Sequence, residues 1–257
     1  MRTPHGFPLM TFIFAISTAV SAALLCYGMG DNAFSLPCIK ALWILFFGWS
    51  TLSSVTALVL YFLAEFFGLS TGRFFKPGIS SPAALFARIA LAPYRWLNWP
   101  VLLTLRKKGE RPIDVLMPGL AISGRLLPWD KQRIADNNIG AVIDVSGELP
   151  ETPLIIRNPE IAYLAVPLPD NSGPTVAQMQ QCVDFARHHL KRDVTVLVHC
   201  SFGHGRSAAV CAAVMIATGN ADSVETANRL MKAARPSVSM SRHQRASVSL
   251  WQQSIEK

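Results

Sequence analysis

The hydrophobic pattern changes character twice along this chain. From Thr3 to Gly30 no Asp, Glu, Lys or Arg interrupts a stretch that contains FPLMTFIFAISTAVSAALLCYG. A second uncharged run, ALWILFFGWSTLSSVTALVLYFLA, extends from Ala41 to Ala64 between Lys40 and Glu65. A helix needs about 20 mainly apolar residues to cross a bilayer, and both runs meet that length. A cleaved signal peptide is the alternative for the first run, given Arg2 and the small residues from Ser21 to Ala23. Signal cores are about 7–15 residues long; this run is longer, and another follows closely. Two retained transmembrane helices are predicted within residues 1–69, at about 8–28 and 41–64.

Residues 70–111 are mixed. In SSPAALFARIALAPYRWLNWPVLLTLRKKGERP, Arg88, Arg95, Trp96 and Trp99 alternate with Leu and Ile. That pattern suits a helix lying in a membrane interface, and nearly as well an ordinary amphipathic helix packed on the domain. Charge and proline break it too often for a third span.

From Pro112 to Lys257 the texture is that of an α/β domain. IDVLMPGLAISG reads as strand and turn, PWDKQRIADNNIG as a helix closed by Gly140, and AVIDVSG and IAYLAVPL as strands. TVAQMQQCVDFARHHLK is an amphipathic helix, and VTVLVHC is a β-branched run typical of a central parallel strand. Three helical segments follow: SAAVCAAVMIATG, SVETANRLMKAARP and SRHQRASVSLWQQSI. Strands alternating with helices predict a central, mostly parallel sheet flanked by helices, with length enough for one core.

Composition sharpens this division. Hydrophobic residues make up 51% and charged residues 16% of the chain, against about 25% charged in an average soluble domain. The net charge of +8 is unevenly placed, because residues 112–257 hold fourteen Lys plus Arg against thirteen Asp plus Glu. Eight basic residues instead follow the second run: Arg73, Lys76, Arg88, Arg95, Arg106, Lys107, Lys108 and Arg111. Basic charge close after a span marks the cytoplasmic side, and Arg2 agrees at the other end. The expected arrangement is an integral membrane hairpin in a plasma or bacterial inner membrane, with the domain at 112–257 in the cytoplasm. The basic connector at 70–111 either sets topology alone or also holds the domain against anionic headgroups. This distribution does not suit a nucleic-acid partner. Cys26 and Cys38 flank the short external loop and could pair there; Cys182, Cys200 and Cys211 belong to the reduced side.

One loop in this domain carries chemistry. VLVHCSFGHGRSAAV places Cys200 at the end of the predicted central strand, with Arg206 six positions later and Ser207 beside it. In such sheets ligands bind in the loop between strand end and helix start. The segment Ser201, Phe202, Gly203, His204, Gly205, Arg206 can wrap so that backbone N–H groups and the next helix's N-terminus converge on an oxyanion such as phosphate. Arg206 can hold two phosphate oxygens in its planar fork. The same positive field lowers a thiol from its usual pKa of about 8.5, which makes Cys200 a candidate nucleophile. Ser207 can hydrogen-bond the sulfur, His199 packs beneath the loop and orients it, and His204 lines the rim or is a solvated loop residue.

Cysteine, five residues, arginine, with His199 before and Ser207 after, resembles the signature of the cysteine-dependent protein tyrosine phosphatases. The short domain and the C-terminal position of the signature resemble the dual-specificity branch, over roughly Ile113 to Gln253. LMPGLAISG and AARPSVSMSRHQRASVSLWQ resemble that branch's first strand and closing segment. The resemblance implies a general acid upstream, and Asp170 in VPLPDNSGPTVAQM lies thirty positions before Cys200. The alternative for Asp170 is a plain turn residue in PDNSG, where Asp is common; its position after a strand and before a helix favours the acid. Asp144 lies in a strand pattern, Asp184 and Asp193 face elsewhere, and Gln244 could position a water.

The implied reaction is hydrolysis of a phosphomonoester through a phosphocysteine, without cofactor or metal. The implied partners are the lipid bilayer and a phosphorylated protein or phospholipid substrate. Phosphotyrosine, phosphoserine or phosphothreonine on proteins stand slightly ahead, because Ser201, Phe202 and His204 occupy places where inositol-lipid enzymes often carry lysines. Tethering near a bilayer keeps a phospholipid or phosphoinositide close behind. A non-catalytic phospho-binding module is the competing class.

Overall fold

The computed structural model describes residues 9–30, 37–67, 89–93, 96, 111–147 and 149–256. Two compact units divide the chain, one within residues 6–103 and one within residues 104–257. Most of the predicted connector at 70–111, and the loop between the two apolar helices, lie outside the described residues.

In the first unit, helix α1 (Leu9–Met29) and helix α2 (Pro37–Phe67) pack against each other. Their pairing is antiparallel: Trp43 Nε1 donates to the Leu24 carbonyl at 2.8 Å, Ser21 meets Ser50 at 3.4 Å, and Ser17 meets Ser54 at 3.3 Å. Small hydroxylated side chains thus face one another, while Ile16, Val20, Leu42, Leu45, Leu52 and Val59 are exposed. Among the described residues one helical segment, Pro37–Leu60, is long and apolar enough to cross a membrane, at a mean hydropathy of 1.6; Ala15–Met29 is a shorter apolar helix. Cys26 and Cys38 are exposed free thiols.

The second unit is built on five strands: β1 (Ile113–Met117), β2 (Leu120–Ser123), β3 (Ile139–Ser146), β4 (Ala162–Leu168) and β5 (Thr195–His199). Their order across the sheet is β1-β2-β5-β3-β4. β1 and β2 form an antiparallel hairpin at the edge, and every other pairing is parallel. The segment IDVLMPGLAISG is therefore two strands rather than one strand and a turn, with Gly119 at φ +79° closing the hairpin.

Helices flank this sheet: α3 (Lys131–Asp136), α4 (Pro153–Ile156), α5 (Val176–Leu190), α6 (Arg206–Ala217), α7 (Val224–Ala234) and α8 (Arg242–Ile255). α3 does not close at Gly140. The chain turns at Asn138, in the left-handed region at φ +51°, and β3 begins at Ile139 opposite Thr195. Gly140 serves the strand instead, since a Cβ there would lie 2.8 Å from the Val194 side chain.

Side chains alternate across the sheet as strand geometry requires. Ile122, Ile143, Val145, Val196 and Val198 join the cluster formed with α5, α6, α7 and α8. Ala121, Val142 and Leu197 point to the opposite face, where Leu126, Ile134, Ile155 and Ile161 cover them. β5 is thus buried on both faces, as its apolar run predicts.

Every residue of α6 from Arg206 to Met215 is buried. Alanines at 208, 209, 212 and 213 let sheet and neighbouring helices approach it closely. Ala212→Leu is expected to overpack this layer and cost about 1–3 kcal/mol, read as a lower midpoint in denaturant unfolding of the full chain with the slope unchanged.

Candidate active site

Strand β5 ends at His199, and the next residue, Cys200, sits at the sheet's carboxyl edge with 3% exposure. The loop from Ser201 to Gly205 then leads into the N-terminus of α6 at Arg206. Accounting for the loop's carbonyls explains its shape. Ser201 O accepts from the Arg125 backbone N–H at 3.1 Å, and His204 O from the Ser239 N–H at 2.9 Å. Arg235 takes the two between them, donating from Nη2 to Phe202 O at 3.1 Å and from Nε to Gly203 O at 3.1 Å. Four consecutive carbonyls are thus drawn to donors outside the loop, which leaves the N–H groups to face the cysteine. Gly203 N–H does so directly, at 3.2 Å from Cys200 Sγ. Only glycine fits there: φ is +76°, and a Cβ would fall 2.4 Å from the Ser123 backbone.

Burial by itself would push the Cys200 thiol up, but the Arg206 guanidinium, the Ser207 hydroxyl and backbone, and the Gly203 N–H outweigh it and hold the thiol below its ordinary value. Ser207 Oγ lies 3.4 Å from Sγ. Cys182 and Cys211 lack this field; burial pushes Cys182 up to about 12 and Cys211 higher still.

Arg206 is 2% exposed and held in place by β4. Its Nη1 donates to the Leu168 carbonyl at 2.9 Å, and its Nη2 reaches Ser201 Oγ at 3.4 Å. The same Nη2 lies 3.1 Å from Asp170 Oδ1, while the Asp170 side chain is 38% exposed. The loop from Asp170 onward is secured by α8. Gln244 Nε2 donates to Ser172 O at 3.3 Å, and its Oε1 accepts from the Ser241 N–H at 2.8 Å. Gln244 also abuts Gly205, where a Cβ would come 2.6 Å from Oε1. It therefore bridges the two loops. Phe202 and His204 stack half-buried, with ring centroids 6.1 Å apart. Asp184 and Asp193 are exposed and stand outside this arrangement.

Three contributors went unread in the sequence. Arg235 is 2% exposed and also pairs with Asp114 Oδ2 at 2.7 Å. Beneath the cysteine, His199 Nε2 meets Glu151 Oε2 at 2.5 Å, and Arg125 Nη1 lies 3.6 Å from Glu151 Oε1. Asp144 completes that buried group, accepting from Ser146 N–H at 2.9 Å, Ser146 Oγ at 2.7 Å and Tyr163 OH at 2.8 Å. Candidate ligand atoms of Asp144, Glu151 and His199 fall within 4.8 Å of one another. They are committed to these hydrogen bonds, which suits a polar network better than an ion.

Residues 128–254, just under half of the chain, match the family model of the dual specificity phosphatase catalytic domain. Human dual specificity protein phosphatase 16 is 29% identical over 125 residues, 48% of this chain and 18% of its own. An uncharacterized protein of Methanocaldococcus jannaschii is 42% identical over 59 residues, 23% of this chain and 37% of its own. The chain thus spans well under half the length of these relatives. Among solved structures, PTPMT1 in complex with PI(5)P shares the fold at a TM-score of 0.53 and 22% identity, over 57% of this chain and 97% of its own. Human DUSP28 does so at 0.51 and 20%, over 57% and 97%.

Because the Cys200 thiol is lowered, its alkylation by iodoacetamide should persist below the pH at which an ordinary thiol of pKa about 8.5 falls silent. Arg206→Met and Ser207→Ala should each move that profile to higher pH, as read by mass spectrometry of the Cys200 peptide. An unshifted profile in both variants would contradict the electrostatic account.

Proposed function

We propose that the chain is a membrane-anchored, cysteine-dependent phosphatase that hydrolyses phosphomonoesters through a phosphocysteine intermediate. One observation carries this reading: a lowered, buried thiol at Cys200 shares its loop with Arg206, and Arg206 meets the carboxylate of Asp170 at 3.1 Å. Nucleophile, anion clamp and proton donor then stand at one mouth.

In the first step the Cys200 thiolate attacks phosphorus and the ester P–O bond breaks. Asp170 gives its proton to the departing oxygen. Arg206 and the loop N–H groups bear the charge on the equatorial oxygens. In the second step Asp170 takes a proton from water as the water oxygen attacks phosphorus. The P–S bond breaks, releasing phosphate, and Ser207 stabilises the returning thiolate. His199 orients the loop from below. Each charge-bearing step is assigned to this chain's own side chains and amides.

Phosphorylated tyrosine, serine or threonine on proteins is the favoured substrate, supported by the aromatic pair Phe202 and His204 within the loop and the lack of lysine there. A second reading, a phospholipid or phosphoinositide at the membrane surface, draws support from the apolar hairpin. Two spans formed by α1 and α2, with both ends and the domain in the cytoplasm, are consistent with serines facing each other while large apolar side chains are exposed. That is the inverse of a water-facing hairpin and suits packing in lipid.

Phosphate release by the full chain in mild detergent should be measured on an aryl phosphate, on phosphotyrosine and phosphoserine peptides, and on phosphoinositide-containing vesicles. Cys200→Ser should abolish release, and Asp170→Ala should lower kcat on alkyl esters by about 10²–10⁴-fold; full activity in Cys200→Ser would end this reading. The best substrate decides between protein and lipid. A folded chain that binds phosphoesters yet turns over none is the signature of a binding module.

Anchoring is tested separately. Membranes containing the full chain, washed in alkaline carbonate, should retain it in the pellet. Release into the supernatant would exclude integral spans.

A further inference from the structure

His199 is fully buried and joined to Cys200 through the chain, yet both its ring nitrogens face acceptor oxygens. Nε2 lies 2.5 Å from Glu151 Oε2, and Nδ1 lies 3.4 Å from the Cys200 carbonyl. A carbonyl oxygen can only accept, so the Nδ1 contact requires a proton on Nδ1. The Nε2 contact requires a second proton, carried by the ring or by the carboxyl. The groups around the pair agree with this count. Asp144 from β3 lies 3.8 Å from Nε2, Arg125 after β2 lies 3.6 Å from Glu151, and Tyr163 from β4 donates to Asp144. With two protons between His199 and Glu151, the buried set holds equal positive and negative charge. With one, it would hold an unbalanced anion in a dry interior, which is costly.

We propose that Glu151 is a positioning residue for the Cys200 loop: it fixes the proton of His199 on Nδ1, and through that ring orients the Cys200 carbonyl at the start of the phosphate-binding turn. Glu151 is itself fixed. Its Oε1 accepts the Thr152 N–H at 2.5 Å, and Thr152 caps α4. A segment 48 residues upstream thereby sets the posture of the loop. The fixed tautomer matters because the alternative, a bare Nδ1 against a carbonyl, is repulsive and would push the first peptide of the loop away. Outer hydrogen-bond partners of metal-ligating histidines matter by about 10–100-fold, and an effect on that scale is expected for this orienting His. This inference builds on the phosphatase reading, but only its kinetic measurement depends on that reading.

Two substitutions separate the hydrogen bond from mere filling of space. In Glu151→Gln the amide NH2 can donate to Nε2, which keeps the proton on Nδ1. In Glu151→Leu the volume stays but no donor or acceptor remains. Imidazole nitrogen NMR of the full chain in detergent, with His199 assigned by its loss in His199→Asn, should show Nδ1–H in the parent and in Glu151→Gln. Glu151→Leu should lose that signature. On an aryl phosphate, kcat should fall about 10–100-fold in Glu151→Leu, with KM nearly unchanged, and stay within about threefold of the parent in Glu151→Gln. An unprotonated Nδ1 in the parent overturns the proposal, as do equal rates in the two variants. Should Glu151→Leu fail to fold, the NMR signature of Glu151→Gln decides alone: Nδ1–H retained supports the proposal and Nδ1–H lost overturns it. A parent that hydrolyses nothing defeats the phosphatase reading alone. The rate of Cys200 alkylation then replaces kcat in the same comparison.

Discussion

Everything at the mouth of this domain depends on where four carbonyl oxygens point. A backbone that exposes several N–H groups to one point must send its C=O groups elsewhere, and each buried C=O needs a donor there. The Ser201, Phe202, Gly203 and His204 carbonyls find those donors in Arg125, Arg235 and Ser239. Two of the four bonds come from one guanidinium, itself neutralised by Asp114 on the edge hairpin. The antiparallel pair β1–β2 therefore does more than extend the sheet. It brings Asp114 to Arg235, and so connects the edge of the domain to the cup beside Cys200.

Burial works on this site in two directions. Removing Cys200 from water disfavours its thiolate, and only concentrated local dipoles and charge reverse the sign. Cys211, also buried on α6, shows the outcome without them, since its thiol is driven strongly upward. The difference between the two cysteines lies in the amides, hydroxyl and guanidinium gathered within one turn of Cys200.

Much of this was legible in the sequence because it is local. The strand–loop–helix around Cys200 announces itself by a β-branched run, two glycines and an alanine-rich helix, and the structure sets Asp170, which the family resemblance singled out, 3.1 Å from Arg206. Local rules misjudged Gly140, because a glycine after an amphipathic stretch reads as a helix stop, whereas the need here is close approach to Val194 across the sheet. Glu151 and Arg235 were illegible for a different reason. Each acts on a partner 48 or about thirty positions distant, through bonds that exist only once the sheet has formed. LPETP and AARPSV look like surface loops until the fold buries Glu151 and Arg235.

The ion pair between Arg206 and Asp170 means that the resting cup carries its own counter-ion. On the phosphatase reading proposed above, an arriving dianion would not meet a bare cation; it would exchange one anionic partner of Arg206 for another. The binding free energy is thus a difference between two attractions. A ligand whose remaining surface also makes contact can tip it, and in doing so it pushes the displaced carboxylate off the guanidinium. Occupancy and readiness of the carboxylate are two ends of the same lever.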